Sequence, residues 1–330
     1  MVKRALLVCA IAGAAGCGSF EDPDIALDLR VLAMTATPPT QVIDVDLTQP
    51  PTPATLAVLL AELTSTQVCA LVADPGLARR LAWSLSLCPL TDDERCGDGT
   101  EIQLASGIAD DPDIAIPQPE ICAMVAPDAN LVMLLYNALQ DDTLHGLGGL
   151  YYAVQLRVGG ENADRTLDQY AIKTLEVAPR IPSTATANKN PTLIRIDARN
   201  NLIAGTLPRG RCSDTPAPLE IAAGTTLQII PIEPATARES YVVPTLDGTA
   251  QAFTETLTYQ WIATAGSFSN GTTGGPHDFA GNPARLSTDY HAPPASDVTT
   301  SLDVSLWIIQ RDERYGVTWY EGCVRVTPPR

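Results

Sequence analysis

The sequence predicts an all-β chain of two tandem antiparallel β-sandwiches, with one short helix in the first. Three observations carry this expectation. Short apolar runs recur between turn residues, and 27 Pro and 23 Gly are scattered without period, as turns joining short strands require. Two runs, Ala82–Cys88 and Leu257–Ala263, alternate apolar and polar residues around one Trp each, Trp83 and Trp261. Between them the stretch 179–191 is rich in Pro, Thr, Ala and Asn and carries no periodicity, which marks a linker. It divides a 330-residue chain, long enough for two cores, into segments 27–178 and 192–330.

The chain opens MVKRALLVCAIAGAAGC. Lys3 and Arg4 precede an apolar run, Ala5–Ala12, too short and wrongly flanked to span a membrane, as in a secretory signal. The ending Ala14-Ala15-Gly16-Cys17 resembles the lipobox of bacterial lipoproteins, with Ala14 where Leu is usual. The resemblance implies that residues 1–16 are removed and that Cys17 is lipidated and becomes the new N-terminus. Ordinary cleavage after Ala14 or Ala15 is the alternative. Gly18 stands where inner-membrane retention would place Asp, so the resemblance implies an outer-membrane lipoprotein, its periplasmic or surface face left open. Residues 17–26 then form a tether. No later apolar run reaches the length of a membrane span, so the N-terminal lipid is the one expected membrane attachment.

Of 8 Cys, Cys9 leaves with the signal and Cys17 takes the lipid. The even remainder suits disulfides in an oxidising compartment. Cys88 and Cys96 flank a polar turn and should close a small ring, and Cys212 and Cys323 are alone in the second segment. Cys69 and Cys122 are left to each other. Six cysteines allow fifteen pairings, and locality alone selects these three.

Taken in order, 27–39 reads as an extended segment closed by Pro38-Pro39. The run 55–63 fits a buried strand or a short helix, and its bounding prolines and short length favour the strand. After the Trp83 strand, 128–142 repeats Leu131, Leu134, Leu135 and Leu139 at helical spacing behind Asp128, a helix with its cap. Segments 149–158 and 169–177 form a hairpin around Gly159-Gly160. The second segment replays this order: 192–198 answers 27–39, 225–232 answers 55–63, the Trp261 strand answers that of Trp83, and 302–310 with 319–326 makes the closing hairpin. Short strands, recurrent turns and Trp83 or Trp261 on an inner strand, with Tyr259 before the latter, resemble bacterial immunoglobulin-like (Ig-like) domains of exported envelope proteins. The antibody-type Cys…Trp…Cys spacing is absent.

Little in the chain points to chemistry. The three His are His145, His277 and His291, none at ligand spacing from a second His or a carboxylate, so solvated loop histidines are expected and no zinc. Acidic clusters at 92–94 with Asp98 and Glu101, and at 110–113, offer oxygens of the kind calcium takes, but not in EF-hand order; solvated loop charge is the expectation. No cofactor is expected. A net charge of −17 sets the chain against nucleic acid. Recognition in Ig-like sandwiches uses end loops, and the last hairpin tip carries residue types that anchor interfaces: Arg311, Asp312, Arg314 and Tyr315, beside Trp319. The function expected is a non-catalytic, lipid-anchored envelope protein presenting such loops to a protein or glycan. A structural spacer or assembly component without a small ligand is the alternative, and a carboxylate-based hydrolase the remote one.

Overall fold

The computed structural model describes residues 23–44, 52–75, 79–90, 96, 101–109, 115–116, 121–144, 146–245 and 247–329. Cys17, His145 and all of the acidic clusters except Glu101 lie outside the described residues.

The first half holds β1 (Arg30–Thr37), β2 (Thr40–Ile43), α1 (Pro53–Glu62), β3 (Thr66–Ala73), β4 (Leu81–Pro89), β5 (Ile102–Ala109), β6 (Ala115–Ile116), β7 (Cys122–Val125), α2 (Ala129–Asp141), β8 (Leu150–Gly160) and β9 (Gln169–Pro179). One sheet runs β2-β9-β8-β4-β5; in the other, β3 pairs with β1 on one side and with β6 and β7 on the other. The alternation of each strand fills the space between them. Leu85 and Leu87 of β4 and Val154, Leu156 and Val158 of β8 meet Val68, Ala70 and Val72 of β3 in one core.

α2 forms as its spacing predicts. The Asp128 carboxylate accepts from the N–H groups of Asn130 and Leu131 at 2.9 and 3.0 Å, and Leu131, Leu134, Leu135 and Leu139 are buried. α1 corrects the strand expected at 55–63. Thr52 caps the helix, its hydroxyl accepting from the Thr55 N–H at 3.1 Å, and Pro53 occupies the first turn, where its fixed φ and missing N–H cost nothing. The same proline that suggested a strand boundary therefore starts a helix, and the Leu/Ala run behind it has high helical propensity. Among the described residues the first half thus has two α-helices rather than one.

The second half holds β10 (Arg195–Arg199), β11 (Ala204–Thr206), β12 (Leu219–Ala222), β13 (Thr226–Ile232), β14 (Ser240–Pro244), β15 (Ala250–Thr254), β16 (Thr258–Ala263), β17 (Ser267–Phe268), β18 (Thr272–Gly274), β19 (Thr288–His291), β20 (Leu302–Arg311) and β21 (Val317–Thr327). Sheet β11-β10-β13-β19-β17 faces sheet β12-β21-β20-β16-β18, and β14-β15 form a separate ribbon. Each half carries a short strand paired in parallel with its last strand, β2 with β9 and β12 with β21. In each, the Trp strand pairs antiparallel with the first arm of the closing hairpin, β4 with β8 and β16 with β20. That shared order makes both halves Ig-like sandwiches. With α1 inserted before it, β3 takes the place opposite β13 that the sequence reading assigned to 55–63.

A third apolar cluster joins the halves. Leu71 and Ala73 point out of the first core, as do Leu32 and Ala33, where a register shift in β1 turns two successive residues outward. They meet Ile262, Trp307, Ile309 and Val317 on the outer face of the second sandwich. Trp307 is fully buried there. Residues 24–26 belong to the same junction: the Ala26 N–H donates to the Ala263 carbonyl at 2.8 Å and the Ala263 N–H to that of Asp24 at 2.9 Å. The residues expected as a linker of little coupling are bonded to both halves. Asn188 donates from its backbone to Thr40 Oγ1 and from its side chain to Asp312 Oδ2, and Asn190 donates to the Ala36 carbonyl and accepts from the Val317 N–H.

The disulfides are Cys69–Cys122, Cys88–Cys96 and Cys212–Cys323, the pairs locality selects. Cys69 and Cys122 stand opposite each other on β3 and β7.

Candidate functional site

The β20–β21 hairpin tip, read from sequence as a projecting contact loop, is docked against the first half. Its conformation begins with Asp312, whose Oδ1 accepts from the backbone N–H groups of Arg314 and Gly316 at 2.8 and 2.7 Å. The Asp312 N–H donates to the Gly316 carbonyl at 3.1 Å and closes the turn. This geometry forces Tyr315 to φ 71°, the one non-glycine with positive φ among the described residues. A left-handed backbone costs a bulky residue about 1–2 kcal/mol.

The surroundings hold that conformation. The Lys173 ammonium donates to the Tyr315 carbonyl, and the Tyr315 ring meets Tyr151 edge-on at 6.0 Å between centroids. Arg314 donates to Glu255 Oε1 at 3.3 Å and to the Thr186 carbonyl at 2.9 Å, and its guanidinium lies 4.7 Å over the Tyr241 ring. Glu313 accepts from the hydroxyls of Tyr241 and Thr256 at 2.7 and 2.8 Å. Arg311 donates to Gln260 Oε1 at 3.0 Å and to the Leu32 carbonyl at 3.4 Å. Four of the residues singled out in the sequence, Arg311, Asp312, Arg314 and Tyr315, are thus brought together, but facing the junction. Trp319 stands apart on β21, half-buried against the cluster that joins the halves.

Two clefts flank Tyr315. One, of about 480 Å³, lies between β1, β9 and the tip, with Lys173, Arg311 and Asp312 in its lining. The other, of about 400 Å³, lies between Tyr151, Glu176, Tyr241 and Arg314. Burial lowers the Lys173 ammonium to about 8; Asp312 opposes that shift and Arg311 adds to it. Burial raises Glu176, against the pull of Arg314. Further along β21, opposite Trp307, burial pushes Glu321 up to about 7, although the Trp307 indole donates to it at 3.1 Å.

Sequence reasoning passed over Lys173, Tyr151 and Tyr241. One signal was present: Lys173 falls in phase with the buried Leu175 and Val177 of β9, where a solvated lysine has no place. His277 is an exposed loop residue. His291 sits on β19, its two ring nitrogens each 2.9 Å from a hydroxyl, Thr226 Oγ1 and Ser269 Oγ. That trio is exposed and lacks a carboxylate to orient the imidazole as a base. Among the described residues no group of three His, Cys, Asp or Glu could hold a metal ion.

Fold and junction together define the class: two Ig-like sandwiches packed outer face to outer face and tied by a hairpin tip. No family profile matches the chain, and no curated protein matches it significantly. Among solved structures it is similar in part to red sea bream transglutaminase, at 8% identity and a TM-score of 0.25, over 92% of this chain and 32% of that one. The chain therefore spans about a third of that enzyme's length. Murine CEACAM1b aligns at 7% identity and 0.20, over 92% and 99% of the two chains. A protein of unknown function from Porphyromonas gingivalis W83 aligns at 9% and 0.19, over 80% and 91%. Scores this low carry no argument about this chain, and the strand order alone supports the class.

Proposed function

We propose that the protein is a non-catalytic component of a bacterial envelope, anchored in the outer membrane through lipid on Cys17, whose two sandwiches act as one body in binding a protein or glycan. The observation that carries this reading is the β14-β15 ribbon. It belongs to neither sandwich sheet, and every residue of β15 is exposed. Tyr241 stacks on Phe253 at 5.5 Å across the ribbon, and Phe253 and Val243 keep 39% and 40% of their surface in solvent. An isolated hairpin is marginal in water, so the Tyr241 contacts to Arg314 and Glu313 are what hold it against the body. An aromatic and a β-branched side chain on a held ribbon make a contact surface of the kind partners use. It replaces the docked tip as the binding element.

A photo-crosslinker placed at Phe253 in intact cells should trap a discrete product that Val243→Asp abolishes. Absence of a product, or one indifferent to that substitution, would favour the spacer reading, which the packing of the halves also suits. Cys17→Ser should release the protein from the membrane fraction; unchanged fractionation would remove the lipid from the proposal.

A further inference from the structure

Lys173 and Arg311 line the 480 Å³ cleft together, and no described carboxylate forms an ion pair with either. Lys173 keeps only 5% of its surface exposed. Its ammonium carries three donors, and its one hydrogen bond in the structure goes to the Tyr315 carbonyl. Arg311 is half-buried, its fork committed to a side-chain amide and a carbonyl, both neutral. Two acids share the lining, yet their oxygens are engaged elsewhere. Asp312 accepts from Arg314, Gly316 and Asn188, and Glu313 from Tyr241 and Thr256.

Withdrawing two like charges from water side by side is costly unless an anion joins them. The lining is mixed, and Val31, Ala33, Met34 and Ala171 supply its apolar part. Its volume falls in the range of about 300–1,000 Å³ usual for small-molecule sites, and it lies at a junction between sandwiches, where such sites concentrate.

We propose that this cleft binds a small organic carboxylate, its head group between Lys173 and Arg311 and a short apolar arm against Val31, Ala33 and Ala171. A phosphate fits less well. Asp312 and Glu313 at the cleft and a chain charge of −17 oppose a second negative charge, and the wall offers an apolar arm something to bury against. The site stands independently of the envelope reading.

Hexanoate titrated into the mature protein by calorimetry should bind saturably, with Kd of about 1 mM or tighter. Lys173→Met removes a buried charge and should fold; it should weaken hexanoate at least tenfold, and Arg311→Gln should weaken it as well. Inorganic phosphate should bind at least tenfold more weakly than hexanoate. Because the free ammonium titrates at about 8 and an anion raises it, binding at pH 8.5 should take up protons. Four outcomes would each overturn the proposal: no saturable heat, Lys173→Met binding like the unaltered protein, phosphate binding as tightly as hexanoate, or no proton uptake at pH 8.5. If Lys173→Met does not fold, Arg311→Gln with Lys173 intact decides the same question.

Discussion

The two sandwiches share a strand order and differ in what fills them. The first core is mainly aliphatic, with Tyr152 its buried ring among the described residues, and is closed by two helices, which contribute Leu59, Leu131, Leu134, Leu135 and Leu139. Its Trp83 is only half-buried, the indole lying over Gly107, where an added Cβ would come within 3.0 Å of the ring. Trp83 packs against this core without being fully buried in it. The second core has no α-helix among its described residues and is filled by rings instead. Tyr259, Trp261, Phe268 and Tyr290 form a chain with successive centroids 6.1, 6.3 and 5.4 Å apart. Their polar tips are partnered: Trp261 Nε1 donates to Thr273 Oγ1, Tyr290 to the Ala265 carbonyl, and Tyr259 to Glu233. One topology can therefore be filled by helices or by aromatic residues. A Trp in the same strand is a core residue in one case and a cover over a glycine in the other.

The disulfide rings should give the largest effects. Replacing Cys212 and Cys323 with Ala opens a ring of sequence separation 111 and should cost about 5 kcal/mol on the loop-entropy account, against about 2.6 kcal/mol for Cys88 and Cys96 at separation 8. Equal losses in denaturant melts would undo that ranking.

Next comes Trp261→Ala, expected to cost about 3–5 kcal/mol because it leaves a cavity and removes the indole donor from Thr273, whose hydroxyl keeps only its bond to the Leu286 carbonyl. As apolar packing joins the halves through Trp307, calorimetry should show one transition moving as a unit. Two transitions, only one of them shifted, would mean that the junction couples nothing. Trp83→Ala should cost less, about 1–2 kcal/mol, since that ring is only partly buried. A loss equal to that of Trp261→Ala would erase the contrast between the cores.

The last effect is one of pH. Glu321 is raised in the folded protein, so its contribution is fully present below the unfolded value near 4.5 and is lost as pH rises through about 7. Melting temperature should therefore gain from Glu321 on acidification from pH 7 toward 4.5, and Glu321→Gln should remove that gain. An unchanged slope in the variant would assign the pH dependence to other groups.

Several features were legible because their causes are local. Asp128 caps α2 through N–H groups two and three residues away, and the strand alternation of β4, β8, β16 and β20 follows from the period-two pleat. The helix at 53–62 was missed because proline punctuates both helices and strands, and an apolar run between prolines carries no period to choose between them. The Lys173 cleft was missed because its parts come from residues 31–34, 171–174 and 311–317, which no spacing relates.

By itself the sequence determined the two Trp strands, the two closing hairpins, the second helix, the pairing of its cysteines by locality and the acidic charge, all set by residues near one another in the chain or by composition. Tertiary structure alone decided that the outer face of β20 is buried, that the last hairpin tip folds inward, and that Lys173 and Arg311 share a cleft. The Leu306–Ile309 run, apolar at every position, could have marked a strand covered on both sides, yet nothing in it names the face that covers it. Periodicity records which side of a strand avoids water. Which surface meets that side depends on contacts between residues hundreds of positions apart, and local pattern carries no record of them.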